Sequence, residues 1–215
     1  MTTVSHGYII IDNILIIYHT IRNVSEVMIT AMDYDKEFNL LYLMEQVYSC
    51  LISVSNKLQA TGDKYCEPLT SRQYMTALAI LHLPEDETTI NNIAGKLGAT
   101  KQNMTQLVNS LCKKGFAQII PSPKDKRAVN VHLTESGLKT LTDCGVSVSI
   151  DFMADTFKAF DEEELKTLWK LLKKLYRFDG VELDGLEENV NVPNAFSDEE
   201  IKSAIDRFSN RRNTF

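Results

Sequence analysis

The feature that most constrains this fold is a change of hydrophobic period near residue 116. Apolar residues recur at helical spacing over 90–111 and alternate with polar ones over 117–133. Gly98 stands where a helix end favours a left-handed residue, and Thr100 follows as an N-cap. The pattern predicts two short helices joined by a tight turn, then two strands joined by the polar segment 122–128.

Further helices are predicted on both sides of this unit. Apolar spacing indicates a long helix over about 36–60, and Thr70 or Ser71 caps the next one. After the strands, Thr134 caps another long helix, and the acidic run 161–164 opens a last core helix. Its predicted stripe is Leu165, Leu168, Trp169, Leu172, Leu175 and Tyr176. The fold class is therefore mostly α, within the α+β class.

The two ends of the chain have a different character. Residues 1–35 form an N-terminal extension, whose apolar run 8–17 is too short for a membrane span and reads as a strand or a buried helix segment. Residues 179–196 contain no Lys or Arg and form a predicted acidic linker. A capping box at 197–200 then begins a short helix that ends near Arg211 and Arg212.

Charge is distributed unevenly along the chain. Residues 88–133 hold seven Lys and Arg against one Asp, a net charge of +6, whereas the whole chain carries −6. Each phosphate contacted by Lys or Arg releases counterions, and a nearby carboxylate would oppose that contact. The segment therefore suits a polyanionic partner, although an ordinary solvated basic face would carry the same charge.

Composition excludes several classes of protein. The four cysteines are scattered without a C-x-x-C pair and do not cluster with the four histidines, so we expect no structural zinc and no cofactor. There is no Gly-rich phosphate loop and no paired nucleophile and base, which argues against an enzyme. With no evident signal peptide, we expect a cytoplasmic protein with reduced thiols and no membrane partner.

Two helices, a tight turn and a basic hairpin together form a winged helix-turn-helix pattern. In that geometry the N-terminal residues of the second helix reach base edges in the major groove. Amide side chains can bond adenine, and Lys reaches guanine or phosphate, while a basic hairpin tip suits the minor groove. The candidate DNA contacts are Lys101, Gln102, Asn103, Thr105 and Gln106 on the helix and Lys124, Asp125, Lys126 and Arg127 in the hairpin.

The motifs over 69–137 resemble the MarR family of transcription regulators. The matching stretches are Leu69-Thr-Ser-Arg-Gln-Tyr74, Ile93-Ala-Gly-Lys-Leu-Gly-Ala-Thr-Lys101, Leu107-Val-Asn-Ser-Leu-Cys-Lys-Lys-Gly115 and Asp125-Lys-Arg-Ala128 followed by Val131-His-Leu-Thr-Glu-Ser-Gly137. The resemblance extends to about 36–178 and implies a homodimer on double-stranded DNA, with dimerisation helices over about 36–60 and 134–178. It implies that Arg127 enters the minor groove and that Asp125 orients the hairpin.

The resemblance also implies sites away from DNA. Members of the family often bind small phenolic or anionic effectors between the DNA-binding lobe and the dimer helices, which here points to Tyr42, Tyr48, Tyr74 and His82. Taken one at a time, each of these residues is better explained as an ordinary core aromatic. Some relatives sense oxidants through a cysteine, which points to Cys50 and Cys66, although a buried cysteine usually acts as a small hydrophobe.

The sequence departs from the family pattern at two positions. Gln106 and Ile119 stand where members often have Arg, so the operator of a relative cannot be transferred to this chain. The predicted function is a sequence-specific, effector-responsive regulator of transcription. The alternatives are a winged-helix module that binds proteins without DNA, and a regulator that acts through a cysteine.

Overall fold

The computed structural model describes residues 34–122, 128–183 and 197–214. The chain divides into two units, Met1–Asn56 and Lys57–Phe215. The long helix α1 (Tyr34–Gly62) crosses the boundary between them, and every other described element belongs to the second unit. The predicted apolar run at 8–17 lies outside the described residues.

Helices account for most of the described residues. After α1 the helices are α2 (Ser71–His82), α3 (Ile90–Lys96), α4 (Lys101–Lys113), α5 (Glu135–Val146), α6 (Met153–Phe157), α7 (Glu162–Tyr176) and α8 (Asp198–Arg212). Short 3-10 turns occupy Glu85–Glu87 and Arg177–Asp179. The strands are β1 (Ala117–Pro121) and β2 (Val129–Leu133). These bounds confirm the helix-turn-helix and hairpin predicted from the change of period.

Side-chain caps explain where several helices begin. Thr70 caps α2 and Ser197 caps α8, and each forms a capping box with the residue three positions later. Thr134 caps α5 by accepting from the Gly137 backbone N–H at 3.0 Å. The caps at Thr134 and Ser197 confirm the sequence prediction, and Thr70 is the cap of α2 out of the two candidates Thr70 and Ser71.

The core of the second unit lies between α2, α3, α4, α5 and the hairpin. Its fully enclosed side chains include Ile93, Met104, Val108, Leu111 and Val131, each at most 1% exposed. Burying side chains of this size contributes roughly 1.5–3 kcal/mol each to folding. The core therefore holds α4 in a fixed position relative to the elements around it.

The hairpin strands pair in an antiparallel register, with Ala117 opposite Leu133 and Pro121 opposite Val129. The predicted alternation is wrong at two positions of β2, because Asn130 is fully buried and Val129 is 42% exposed. The turn before α3 covers Asn130, whose side-chain N–H donates to the Glu85 carbonyl at 3.2 Å. Thr89 also bridges to Asn130, so β2 is covered on a side that the alternation leaves open.

The helix predicted to run on from Thr134 is interrupted. Residues Ser147–Phe152 form a π-helical segment between α5 and α6, and α6 ends at Phe157. Segments of this kind are rare and often occur at functional sites. Hydrophobic spacing alone does not distinguish them from an α-helix.

The predicted core helix α7 buries none of its residues within the described chain. Trp169 is 51% exposed and Leu175 is 47% exposed, so the stripe predicted from sequence exists but faces outwards. The part of α1 before residue 57 likewise exposes Leu40, Leu41, Tyr42, Leu43, Met44, Val47, Tyr48, Ile52 and Val54. Each of these two helices thus has a long exposed apolar face, which is the kind of surface that proteins use to contact other macromolecules.

No helix among the described residues is both long enough and apolar enough to cross a bilayer.

Candidate nucleic-acid interface

The turn between α3 and α4 fixes where α4 begins. The Ala99 N–H donates to the Ala94 carbonyl at 2.9 Å, and Gly98 adopts φ +58° as the left-handed residue that ends α3. Thr100 then caps α4 by accepting from the Asn103 backbone N–H at 3.2 Å. The predicted turn and cap are both confirmed.

Helix α4 has one buried face and one open face. Met104 and Val108 point into the core and Leu107 packs at its edge, in line with the helical spacing of apolar residues over 90–111. On the open side, Lys101, Gln102, Thr105 and Gln106 are exposed and Asn103 is half-buried. The Thr105 hydroxyl donates to the Lys101 carbonyl at 2.8 Å, so it is already engaged by its own helix. Gln102 and Gln106, one turn apart, present exposed amides on this side of the helix.

The start of α4 is electropositive for two reasons. Its first turn contains no carboxylate, so the partial positive charge of the helix N-terminus is not offset. Lys101 stands in that turn with its side chain exposed. Backbone N–H groups and a lysine at a helix N-terminus form a suitable environment for phosphate or for base acceptors.

The basic segment is not uniformly available for contact. Lys96 is only 5% exposed, and the Lys114 Nζ donates to the Pro68 carbonyl at 2.7 Å and to Gln73 Oε1 at 2.9 Å. Lys101 and Lys113 are exposed. Charge counting from sequence therefore overstates the number of lysine side chains that are available to contact a partner on the described surface.

Lys114 has a second role that sequence reasoning missed. Gln73 is 5% exposed, and its amide N–H donates to the Ser110 hydroxyl at 2.8 Å. Lys114, Gln73 and Ser110 thus join the end of α4 to the start of α2. The partners stand 41 and 37 positions apart along the chain, and no local pattern indicates such a contact.

The hairpin is described at its base and not at its tip. The Ser122 N–H donates to the Ala128 carbonyl at 3.0 Å and closes the pair of strands. The predicted contacts Lys124, Asp125, Lys126 and Arg127 lie outside the described residues. They stay predictions.

The four candidate effector residues differ in their surroundings. Tyr42 and Tyr48 are 51% and 69% exposed, whereas Tyr74 is 6% exposed and His82 is half-buried. Burial raises the pKa of the Tyr74 hydroxyl, as expected for a core aromatic. An effector site formed by these residues stays a prediction.

A cleft in the second unit has other walls. It has a volume of about 510 Å³ and lies between the end of α1, α2 and the start of α4. Its lining includes Arg72, Met75, Thr100 and Asn103, and none of the four predicted effector residues takes part. A molecule in this cleft would contact the residues that begin α4.

The cysteines fall into exposed and buried classes. Cys50 is exposed, whereas Cys66 is 2% exposed and burial raises the pKa of its thiol. The Cys144 thiol donates to the Cys66 carbonyl at 3.0 Å, and burial raises the pKa of Cys144 as well. Because the thiolate is the reactive form, these surroundings disfavour Cys66 as a sensor. Redox sensing stays a prediction.

Among the described residues, no group of three His, Cys, Asp or Glu side chains is arranged to hold a metal ion.

Sequence reasoning also missed a cluster at the C-terminal helix. Arg207 and Arg211 of α8 contact Asp151 in the π-helical segment, and Arg211 also contacts Asp155 in α6. The pairs 207/211 and 151/155 each have the spacing of one helical turn, which is the only local signal of this contact. Nothing in the sequence indicates that the two pairs meet.

A MarR-family model matches residues 68–128 of this chain. The multiple antibiotic resistance protein MarR of Escherichia coli is 35% identical over 72 residues, which cover 34% of this chain and 50% of MarR. The HTH-type transcriptional regulator YsmB of Bacillus subtilis is 26% identical over 89 residues, which cover 41% of this chain and 60% of YsmB. The chain thus spans only half to three-fifths of the length of these two relatives.

Two solved structures share both fold and sequence similarity with the chain. A mutant of E. coli MarR in complex with operator DNA is 25% identical, with a TM-score of 0.54, and the match covers 64% of this chain and 96% of that one. The S. aureus MepR–DNA complex is 26% identical, with a TM-score of 0.53, covering 60% and 96%. The match therefore includes nearly the whole of both solved chains.

Proposed function

We propose that the chain is a MarR-family regulator that binds double-stranded DNA as a homodimer and regulates transcription, because a MarR-family model matches residues 68–128 and MarR and MepR chains solved on DNA share its fold. The observation that carries the proposal is α4, which is held by the core on one face and presents Lys101, Gln102 and Gln106 on the other. This is the arrangement that a recognition helix needs, because its open face can enter the major groove without disturbing the core.

In this proposal the contacts divide by chemistry. Gln102 and Gln106 read base edges, since a glutamine amide can bond adenine through a donor and an acceptor together. Lys101 and the start of α4 bind phosphate or a guanine edge. The hairpin residues Lys124, Lys126 and Arg127 contact the backbone and the minor groove, with Asp125 orienting the tip.

The homodimer accounts for the exposed apolar stripe of α7. A second copy of the chain covers Trp169, Leu172 and Leu175 and sets the distance between the two recognition helices. Two half-sites one helical turn apart, roughly 34 Å, then define the operator. Trp169 is the single tryptophan of the chain, so its fluorescence reports this interface directly. The emission should shift to shorter wavelength as protein concentration rises through the dimer dissociation constant.

In this proposal a small molecule regulates the protein by binding in the cleft next to α4. A ligand in the cleft beside Thr100 and Asn103 occupies space next to the residues that begin α4. It weakens DNA binding if it favours a dimer in which the recognition helices no longer match successive major grooves. Arg72, at the rim of the cleft, favours an anionic ligand.

Selection of duplexes from random sequence by the purified protein tests the proposal. A regulator enriches a defined motif at physiological salt, with two related half-sites. Gln102→Ala and Gln106→Ala should relax the preference at one position per half-site, at about 1–3 kcal/mol each. Asn109→Ala is the matched control. Asn109 is an exposed amide two turns beyond Gln102 and three residues beyond Gln106, and its substitution should leave the motif unchanged.

The rival function is a winged-helix module that binds proteins and not DNA. It predicts no enriched duplex at any salt concentration and no effect of the two glutamine variants. That result would contradict the proposal even if the dimer formed normally.

A further inference from the structure

Helix α8 packs against the π-helical segment Ser147–Phe152 and against α6. Ala204, Phe208 and Arg211 recur at helical spacing and form its inner, partly buried side, whereas Ile201 and Ile205 on other sides are more than half exposed. At the end of the helix, the Arg212 guanidinium donates to the Phe160 carbonyl at 2.7 Å. The helix is therefore docked along one side and is not simply an extended tail.

The contact is centred on two arginines and two carboxylates. Arg211 Nε donates to Asp155 Oδ1 at 2.8 Å and Nη2 donates to Oδ2 at 2.7 Å, which is the two-pronged geometry of a strong arginine–carboxylate pair. Arg211 Nη1 also lies 3.4 Å from Asp151 Oδ1, and Arg207 pairs with Asp151 Oδ2. We call these four residues the arginine clasp.

Burial makes the clasp directional. The Asp151 side chain is only 6% exposed, so its charge needs a partner within the fold. The arginines of α8 are 54% and 39% exposed and would be well hydrated if they left. Undocking of α8 would therefore leave the buried carboxylate of Asp151 without these charged partners, whereas the two arginines would be solvated by water.

Asp155 has a third partner on another element. The Tyr65 hydroxyl donates to Asp155 Oδ2 at 2.6 Å, and the Tyr65 ring lies 5.4 Å from the ring of Phe152. Tyr65 belongs to the turn 63–69 that leads into α2. Asp155 therefore joins α8, α6 and the turn before the helix-turn-helix.

Helix α5, the π-helical segment and α6 follow one another without a break, and we call them together the rod. The N-terminal end of the rod lies next to the end of α4. Thr134, which caps α5, donates its hydroxyl to the Gly115 carbonyl at 2.7 Å, directly after α4. Midway along the rod, Cys144 contacts the carbonyls of Cys66 and Glu67 in the same turn as Tyr65. The rod from α5 to α6 thus contacts the DNA-binding elements at both of their borders.

We propose that α8 is a brace, which through the arginine clasp and Tyr65 fixes the turn 63–69 against the rod and so sets the angle at which each recognition helix is presented. The surface formed by the π-helical segment and α6 is thus covered by this chain's own C-terminal helix. The mechanical part stands on contacts within one chain, and only the consequence for operator spacing rests on the proposed function.

Hydrogen exchange on the full-length dimer tests the mechanical part. In Arg207→Gln/Arg211→Gln, the amides of α8 and of the turn 63–69 should exchange about tenfold faster or more, while those of α4 stay protected. Lys202→Gln, an exposed cation on the same helix, is the control and should change neither. Tyr65→Phe keeps the ring and removes only the hydroxyl, so it should loosen the turn while α8 stays protected.

Three exchange results would overturn the proposal. Protection of α8 in the double variant would show that the clasp does not hold the helix. Release of α8 with an unchanged turn would show that the helix is an appendage without influence on the DNA-binding elements. An unchanged turn in Tyr65→Phe would remove the connection between Asp155 and α2.

Duplexes with two half-sites at varied separation test the consequence. The wild-type dimer should prefer one separation, and the double variant should lose about tenfold of that preference, because a looser joint admits several separations. A variant with the same spacing profile as wild type contradicts the brace. If the wild-type protein binds no duplex at all, the proposed function fails, and the exchange experiment still decides the mechanical part.

Discussion

The Tyr176 hydroxyl and the adjoining ring edge lie close to Gly98, so that a Cβ placed on Gly98 would stand 2.8 Å from the Tyr176 hydroxyl oxygen. One residue belongs to α7 and the other to the tight turn between α3 and α4. The contact joins α7 to the turn that precedes α4, and a Cβ on Gly98 would fit only if the Tyr176 side chain moved.

Gly98→Ala should therefore destabilise the protein for two reasons. A non-glycine residue at φ +58° costs about 1–2 kcal/mol, and the methyl group would displace Tyr176. Gly95→Ala is the matched control, because its Cβ meets nothing within 4 Å and α3 gains helix propensity, worth up to about 1 kcal/mol. Urea unfolding measures both. Equal stability of the two variants would contradict the close contact.

Comparison of Lys114 with its neighbour Lys113 tests whether Lys114 stabilises the fold through its hydrogen bonds or only contributes a positive charge. Lys114→Met leaves the Pro68 carbonyl and Gln73 Oε1 without their charged donor, which should lower the free energy of unfolding by about 1–3 kcal/mol. Lys113→Met removes the same charge from an exposed position and should change it by less than about 0.5 kcal/mol. Similar losses of stability in both variants would contradict the structural role of Lys114.

Thiol reactivity should separate Cys50 from the other cysteines. Cys50 is exposed, whereas burial raises the pKa of the thiols of Cys66, Cys112 and Cys144. Titration of the native protein with a chromogenic disulfide at neutral pH should show one fast thiol per chain, and Cys50→Ser should abolish the fast phase. A fast phase that survives this substitution would reopen Cys66 as a candidate sensor.

Acid should weaken the interactions of Asp155 over a defined range. Hydrogen bonds from Arg211 and from Tyr65 lower the pKa of Asp155 from 3.8 to about 2. Because the folded-state pKa is the lower one, the stabilisation is fully present above about pH 4 and is lost as the pH falls towards 2. The difference in melting temperature between wild type and Asp155→Asn should be constant above that range and narrow within it. A difference in melting temperature that persists unchanged to the lowest pH would contradict the lowered pKa of Asp155 and its stabilising contacts.

Local patterns account for most of what the sequence predicted correctly. Gly98, Thr100 and Thr134 act within three or four residues of their own positions, so their roles can be recognised from neighbours alone. The inward face of α4 follows from spacing in the same way. These are the features that depend on the backbone near one residue.

The features that were missed depend on distant parts of the chain. Asn130 is buried because the turn near Glu85 covers it, and the clasp forms because residues 56 positions apart meet. Charge counting treated Lys114 like Lys101, although only the former has partners from another helix. Such pairings are set by tertiary structure and leave no periodic signal.

The π-helical segment has a consequence for everything that follows it. Each residue turns an α-helix by about 100°, so one residue inserted into or deleted from a continuous helix rotates all later side chains around its axis. Ser147–Phe152 lies upstream of Asp155 and of the short connection that leads into α7. The position at which α7 starts, and hence the direction in which its exposed apolar stripe faces, therefore depends on the width of the π-helical segment.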